Sequence, residues 1–280
     1  MWRESRDLGS AATQEGAWPC GAFCAPWGGM EIGNSPGATS CTTEEAAPTT
    51  TSARLHASSP RPPTGLDFPA FTARHSWNAK AVVRRLRGGE IVSDETFDEV
   101  FPEAVRRVSE VHWTPVEVAF RAARLLAPAR SARIIDVGAG AGKFCLVAAG
   151  ATGADVHGVE RSPYLASVAR EAARRMGVAT NVREGSFESE DPSTFDGIYL
   201  FNPFTESLCV PGAVTAFDHD ARRAGNDIRR AEKFLRGARV GVRVATFCGF
   251  GGPMPKRYEL MIREYRGGGV LEVWTKTHAE

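Results

Sequence analysis

The sequence predicts an α/β protein built on a doubly wound, seven-stranded sheet that ends in an antiparallel hairpin. Three observations carry this. The stretch Arg133-Ile134-Ile135-Asp136-Val137-Gly138-Ala139-Gly140-Ala141-Gly142-Lys143-Phe144 reads as a buried strand, a glycine turn and the start of a helix. Its β-branched residues suit a strand covered on both faces. Further strand-like and helix-like segments then alternate as far as Thr246, the pattern of a sheet wound with crossover helices. Last, Tyr258 to Arg263 and Val270 to Thr275 read as two strands joined across Gly267-Gly268-Gly269.

Three parts are expected along the chain. Residues 1–74 are rich in Gly, Ala, Pro, Ser and Thr and show neither helical nor strand period. Too little apolar surface is available there to offset the entropy of ordering, so a disordered tail is predicted. Cys20, Cys24 and Cys41 lie in it without a second C-x-x-C or a histidine pair, so no metal is expected. Residues 75–110 are expected to form a helical cap. A basic helix ending at Gly88-Gly89 is expected to present a solvated face, with contact to nucleic acid as the alternative, and one or two short helices between Ile91 and Val108 are expected to pack over the sheet.

The remaining residues, 111–280, hold the sheet. Thr114 is expected to N-cap a helix with Pro115 in its first position and Glu117 completing a capping box. Phe144, Val147 and Ala148 give the helix after the glycine turn its packing face, as far as Ala151. Ala154 to Val159 is strand two, with Glu160 at its end. Ser162-Pro163 starts a helix whose apolar stripe is Leu165, Val168, Ala169, Ala172 and Met176, stopped by Gly177. Asn181 to Glu184 is strand three, Gly197 to Phe201 strand four and Val240 to Thr246 strand five. Asp218 to Arg236 is a charged helix with Ile228, Ala231, Phe234 and Leu235 on its buried side. Phe247 to Pro255 reads as a flexible loop able to reach a bound acceptor.

A ligand in this arrangement lies at the carboxyl end of strand one, against a helix N-terminus. Dinucleotide sites want G-x-G-x-x-G, but here Lys143 stands where the third glycine would be. Glu160, about 20 residues past the turn, is placed to take two ribose hydroxyls. A nucleoside is therefore expected, and a pyrophosphate is not required.

The acidic residue followed by G-x-G-x-G resembles the first motif of the class I S-adenosylmethionine-dependent methyltransferases, whose sheet is Rossmann-like. The resemblance covers about Trp113 to Thr277. It implies S-adenosyl-L-methionine as cofactor, with the glycine turn (Asp136, Gly138, Ala139, Gly140, Gly142) around the methionine part and Glu160 on the ribose, next to Arg161. In that family the turn after strand three often carries an aspartate that accepts the adenine amine. Ser186 replaces it here, a weaker acceptor, with Phe187 beside it. His112-Trp113-Thr114-Pro115 is similar to an F-T-P element of amino-methylating DNA methyltransferases that lies near the methionine end of the cofactor, which implies His112, Trp113 and Thr114 as candidates for the pocket.

Asn202-Pro203-Phe204 resembles the N-P-P-F or N-P-P-Y motif of amine-methylating enzymes, shortened by one proline. In that motif the asparagine and a backbone carbonyl accept from a planar amine and the aromatic ring stacks on it. An N-x-F pattern also resembles a family of lysine methyltransferases. The resemblance thus implies a nitrogen acceptor: a protein lysine, a nucleobase or a small amine. A nicotinamide-dependent oxidoreductase and a non-catalytic methyltransferase-like binding module are the alternatives. A net charge of +1 gives no global basic field for a nucleic-acid partner. No run of 18 apolar residues occurs, so no membrane span is expected. Six unevenly spaced cysteines and the absence of a secretory signal point to a reducing, cytoplasmic setting.

Overall fold

The computed structural model describes residues 78–201, 203 and 221–279. The expectations for residues 1–74 lie outside these. The basic helix is α1 (Ala79–Arg87), N-capped by Asn78, whose Oδ1 accepts the Ala81 amide at 3.0 Å. Its basic residues point outward, while Val82, Val83 and Leu86 are buried. Three short helices follow: α2 (Asp94–Asp98), α3 (Glu103–Arg106) and α4 (Ser109–His112). Phe97, Val100, Phe101 and Val105 from this stretch are fully buried, each worth about 1.5–3 kcal/mol relative to exposure. Their burial holds turns too short to be stable alone.

Helix α5 (Val116–Leu126) then leads into β1 (Arg133–Val137), α6 (Lys143–Thr152), β2 (Asp155–Glu160), α7 (Pro163–Met176) and β3 (Thr180–Glu184). α7 begins and ends as its sequence predicts. The Ser162 hydroxyl accepts the Leu165 amide, and Gly177 closes the helix in the left-handed region. β4 (Gly197–Phe201), α8 (Ala221–Gly237), β5 (Arg243–Phe247), β6 (Tyr258–Arg266) and β7 (Gly269–Lys276) complete the described elements. Strand five thus starts three residues later than predicted, because Gly241 turns the chain at φ +84°.

The seven strands lie in the order β3-β2-β1-β4-β5-β7-β6. β1 to β5 pair in parallel, and β7 runs antiparallel between β5 and β6. Chain order reverses between β1 and β4, which opens a crevice at their carboxyl ends. One face carries α1, α5, α6, α7 and the short helices. The other carries α8, through Ala231, Phe234 and Leu235. The expected α/β class and terminal hairpin are both present. The loop after β5 differs from its expectation. Phe250 is buried, and Gly251 and Gly252 lie close against Ile228 of α8. Among the described residues no helix is long and apolar enough to cross a membrane.

Candidate functional site

The crevice is lined by the glycine turn between β1 and α6. Gly138, Gly140 and Gly142 all have positive φ, at 76°, 55° and 81°. The close approaches they permit differ. A Cβ on Gly138 would lie 2.9 Å from Cβ of Pro203, and one on Gly140 would lie 2.4 Å from the Trp113 ring. One on Gly142 would lie 2.8 Å from Cβ of Ala169, inside the packing of α6 on α7. The first two glycines therefore bring together the exit of β4 and the segment before α5, which are 90 residues apart in the chain. Asn202 and Phe204, the flanking residues of the third motif, lie outside the described residues, as do Asp218 to Asp220 at the start of the charged helix.

Glu160 closes the opposite side. Its Oε2 accepts the Gly140 amide at 2.8 Å and its Oε1 the Ser162 amide at 2.7 Å. Burial raises its pKa, opposed by those two backbone hydrogen bonds and by Arg161. Asp136 is buried in the middle of the sheet, level with Gly158 of β2 and Tyr199 of β4. Its Oδ2 accepts a hydrogen bond from the Cys145 thiol at 3.5 Å. Burial pushes its pKa up to about 7, the thiol opposes this, and Glu160 adds repulsion. Two buried carboxyls thus flank a turn bare of side chains at its glycines.

Thr114 does not cap α5. Its hydroxyl instead shares a buried hydrogen bond of 2.9 Å with the Tyr199 hydroxyl. α5 starts at Val116, and the Val116 amide is met by Asp94 Oδ1 at 2.9 Å, a cap from a distant helix. Tyr199 stacks face to face on Phe144, with ring centroids 3.8 Å apart. Trp113, whose Nε1 donates to the Val105 carbonyl at 3.4 Å, is buried over Gly140.

The adenine-side candidates are engaged by the protein itself. The Arg161 guanidinium pairs at 2.6 Å with Asp227, a fully buried residue of α8. Arg230 pairs with the same aspartate at 3.2 Å and with Glu188 at 3.3 Å. The Ser186 hydroxyl caps the short turn Phe187–Ser189 and donates to Glu188 Oε2 at 3.2 Å. The Phe187 ring packs edge to face on Phe234, with centroids 5.6 Å apart, so the ring belongs to the α8 core.

Residues 134–224 match the model of a family described as a methyltransferase domain, and that range holds the turn, Glu160 and the third motif. The strand order, with β7 inserted antiparallel between β5 and β6, is the sheet this family is expected to build. Over residues 134–224 the chain is thus similar to a methyltransferase domain.

Among solved structures, an RNA methyltransferase from Salinibacter ruber in complex with S-adenosyl-L-homocysteine is 21% identical at a TM-score of 0.46, covering 60% of this chain and 95% of that one. TrmN from Thermus thermophilus is 20% identical at a TM-score of 0.47, covering 65% of this chain and 53% of that one, so the match spans about half of TrmN. The putative methyltransferase YhhF from Escherichia coli is 13% identical at a TM-score of 0.40, covering 57% of this chain and 84% of that one. No curated protein matches the chain.

The residues around the turn fit the cofactor on the chemistry of their side chains. S-adenosylmethionine carries an ammonium and a sulfonium, both cationic, and the turn stands between two buried acidic side chains, Asp136 and Glu160. The contacts of four residues near the turn emerge only in the structure: Lys143, Asp94, Asp98 and Tyr199. Lys143 opens α6, whose next seven residues are all apolar or glycine and buried. A helix apolar on every side buries whatever opens it, and that was the available sign. Asp94 and Asp98, four apart after the Ser93 cap, share a helix face. Tyr199 gave no sign beyond a hydroxyl in an apolar strand.

Proposed function

We propose that the protein transfers the methyl group of S-adenosylmethionine to a nitrogen atom of a protein lysine, a nucleobase or a small amine. The observation that supports this best is the approach of Pro203 to Gly138, with 2.9 Å between its Cβ and the position a Cβ would take. It brings Pro203 beside the turn assigned to the cofactor. Bound cofactor supplies an activated methyl group on a sulfonium, and transfer leaves a neutral sulfide.

The chain's own residues then have two tasks. Asp136, Gly138, Ala139, Gly140 and Gly142 hold the methionine end, and Asp136 offers a carboxylate to its ammonium. Thr114 borders this end through its bond to Tyr199. Glu160 takes the ribose while it fixes Gly140, and Arg161, Ser186 and Phe187 border the adenine through the backbone and the Asp227 network. Asn202, Pro203 and Phe204 orient the acceptor. A neutral amine needs no strong base to attack a sulfonium, so alignment and desolvation supply much of the acceleration.

Incubating the protein with radiolabelled S-adenosylmethionine and fractionated cell lysate tests the reading. Label is expected in a protein, nucleic-acid or small-amine fraction. Cofactor binding with no labelled fraction would support the non-catalytic module instead. Micromolar binding of NAD with none of S-adenosylmethionine would support the oxidoreductase.

A further inference from the structure

Lys143 follows the glycine turn directly and is the first residue of α6. Only 2% of it is exposed. Its Nζ lies 2.6 Å from Asp94 Oδ1 and 2.8 Å from Asp98 Oδ1, and it donates to the Ser109 hydroxyl at 3.0 Å. All three partners precede the sheet: Asp94 and Asp98 lie on α2, and Ser109 opens α4. An ammonium at a helix N-terminus faces the positive end of the helix dipole and is costly to bury unpaired. Two carboxylates and a hydroxyl answer both demands.

The same cluster reaches the cofactor crevice by a second route. Asp94 Oδ1 also accepts the Val116 amide at 2.9 Å, the first amide of α5. One carboxylate oxygen therefore joins the start of α6 to the start of α5. Trp113 stands between α4 and α5, three residues before Val116, with its indole over Gly140. Ser109 fixes the chain ahead of the indole and Val116 fixes it behind, and both are tied to Lys143.

We propose that Lys143 is a positioning residue for cofactor binding: through Asp94, Asp98 and Ser109 it holds residues 94–116 against the glycine turn and so places the Trp113 indole over Gly140. This rests on the reading of that turn as the S-adenosylmethionine site. It also gives a role to the position where a dinucleotide fold keeps its third glycine. Gly142 keeps the close packing of α6 on α7, and the next side chain is free to reach the helical layer above.

Calorimetric titration of S-adenosylhomocysteine into the full chain tests this, using wild type, Asp94→Asn, Asp94→Glu, Lys143→Met, Trp113→Ala and the Asp94→Asn/Trp113→Ala pair. Asp94→Asn and Lys143→Met are expected to weaken binding about tenfold, with partial recovery in Asp94→Glu. If the cluster acts through the indole, Asp94→Asn adds no further loss in the Trp113→Ala background. Hydrogen exchange in the cofactor-free Asp94→Asn protein is expected to quicken over residues 94–116 and not in β4 or β5. Should Lys143→Met fail to fold, Asp94→Asn carries the test, because the Asp94 side chain is 47% exposed. Wild-type affinity in Asp94→Asn, or losses that simply add in the pair, would overturn the proposal and leave the cofactor reading intact. A wild-type protein that binds no S-adenosylhomocysteine would overturn both.

Discussion

The Glu160 carboxylate accepts the Gly140 amide at 2.8 Å and, through its other oxygen, the Ser162 amide at 2.7 Å. One side chain therefore fixes the middle of the glycine turn to the first turn of α7. Glu160→Gln keeps the shape but sets an NH₂ group against one of those amides. Hydrogen bonds to a charged acceptor contribute roughly 1.5–3 kcal/mol each. Affinity for S-adenosylmethionine is expected to fall about ten- to a hundredfold, as measured by calorimetry. Unchanged affinity would remove Glu160 from the site.

Gly140 meets two demands that no other residue satisfies together. Its φ is +55°, and a Cβ would stand 2.4 Å from the Trp113 ring. Gly140→Ala carries about 1–2 kcal/mol of left-handed backbone strain and about 1–3 kcal/mol for forcing the indole aside. A lower melting temperature and weaker cofactor binding are expected together. Trp113→Ala added to Gly140→Ala relieves the clash, so the pair should melt higher than the sum of the two single losses predicts. Simple additivity in thermal melts would contradict the contact.

Asp136 makes both stability and binding depend on pH. Burial raises its folded pKa to about 7, above its ordinary value of 3.8. An acid so raised favours folding fully below its unfolded pKa, and that contribution is lost as pH rises from about 4 to about 7. The cofactor-free protein should therefore lose stability across that window. Binding runs the other way, because a ligand ammonium pairs with the ionised form. Affinity for S-adenosylmethionine should rise with pH to about 7 and then level, with proton release on binding below that. In Asp136→Asn the rise should vanish. A wild-type affinity that does not change between about pH 5.5 and 7 would show that the ammonium lies elsewhere.

The sheet was legible because its signals are local. Buried β-branched runs, the Ser162-Pro163 start and Gly177 stop of α7, and the three-glycine hairpin all act within a few residues. Glu160 was legible for the same reason, since a fixed spacing from the turn carries it to the crevice. What was not legible depends on distant partners. Thr114 has the sequence of a helix cap, yet Asp94, 20 residues upstream, is the acceptor at that helix start, and the hydroxyl is released to Tyr199. The guanidinium of Arg161, beside Glu160, is held by Asp227, 66 residues away on α8, a pairing that no local signal carries. The ring of Phe187 is taken by the hydrophobic face of α8, another distant partner.

The Thr114–Tyr199 bond gives a test of that misread cap. Both hydroxyls are buried, and Tyr199 is fully enclosed, stacked on Phe144. Thr114→Val leaves the phenol without its partner and is expected to cost about 1–3 kcal/mol in denaturant unfolding. Tyr199→Phe alone strands the threonine hydroxyl, at a similar cost. Removing both leaves no buried orphan, so Thr114→Val/Tyr199→Phe should be more stable than the two single losses added together. A helix cap predicts something different: Thr114→Val would then cost about 1 kcal/mol whichever residue stands at 199.

Asn202, itself outside the described residues, is the test that separates transfer from binding in the proposed function: its neighbour Pro203 lies over Gly138, and the proposal assigns Asn202 to the acceptor at the cofactor's edge. Asn202→Ala is expected to abolish methyl transfer, measured with labelled cofactor and the accepting fraction, while cofactor affinity stays within about twofold. Hydrogen bonds that align a reacting amine contribute in the transition state, so the loss should appear in kcat more than in KM. Phe204→Ala should raise KM for the acceptor as well, because a stacked ring contributes to ground-state binding. Transfer at the wild-type rate by Asn202→Ala would take the residue out of the acceptor site and leave the shortened motif as a turn that only closes the crevice.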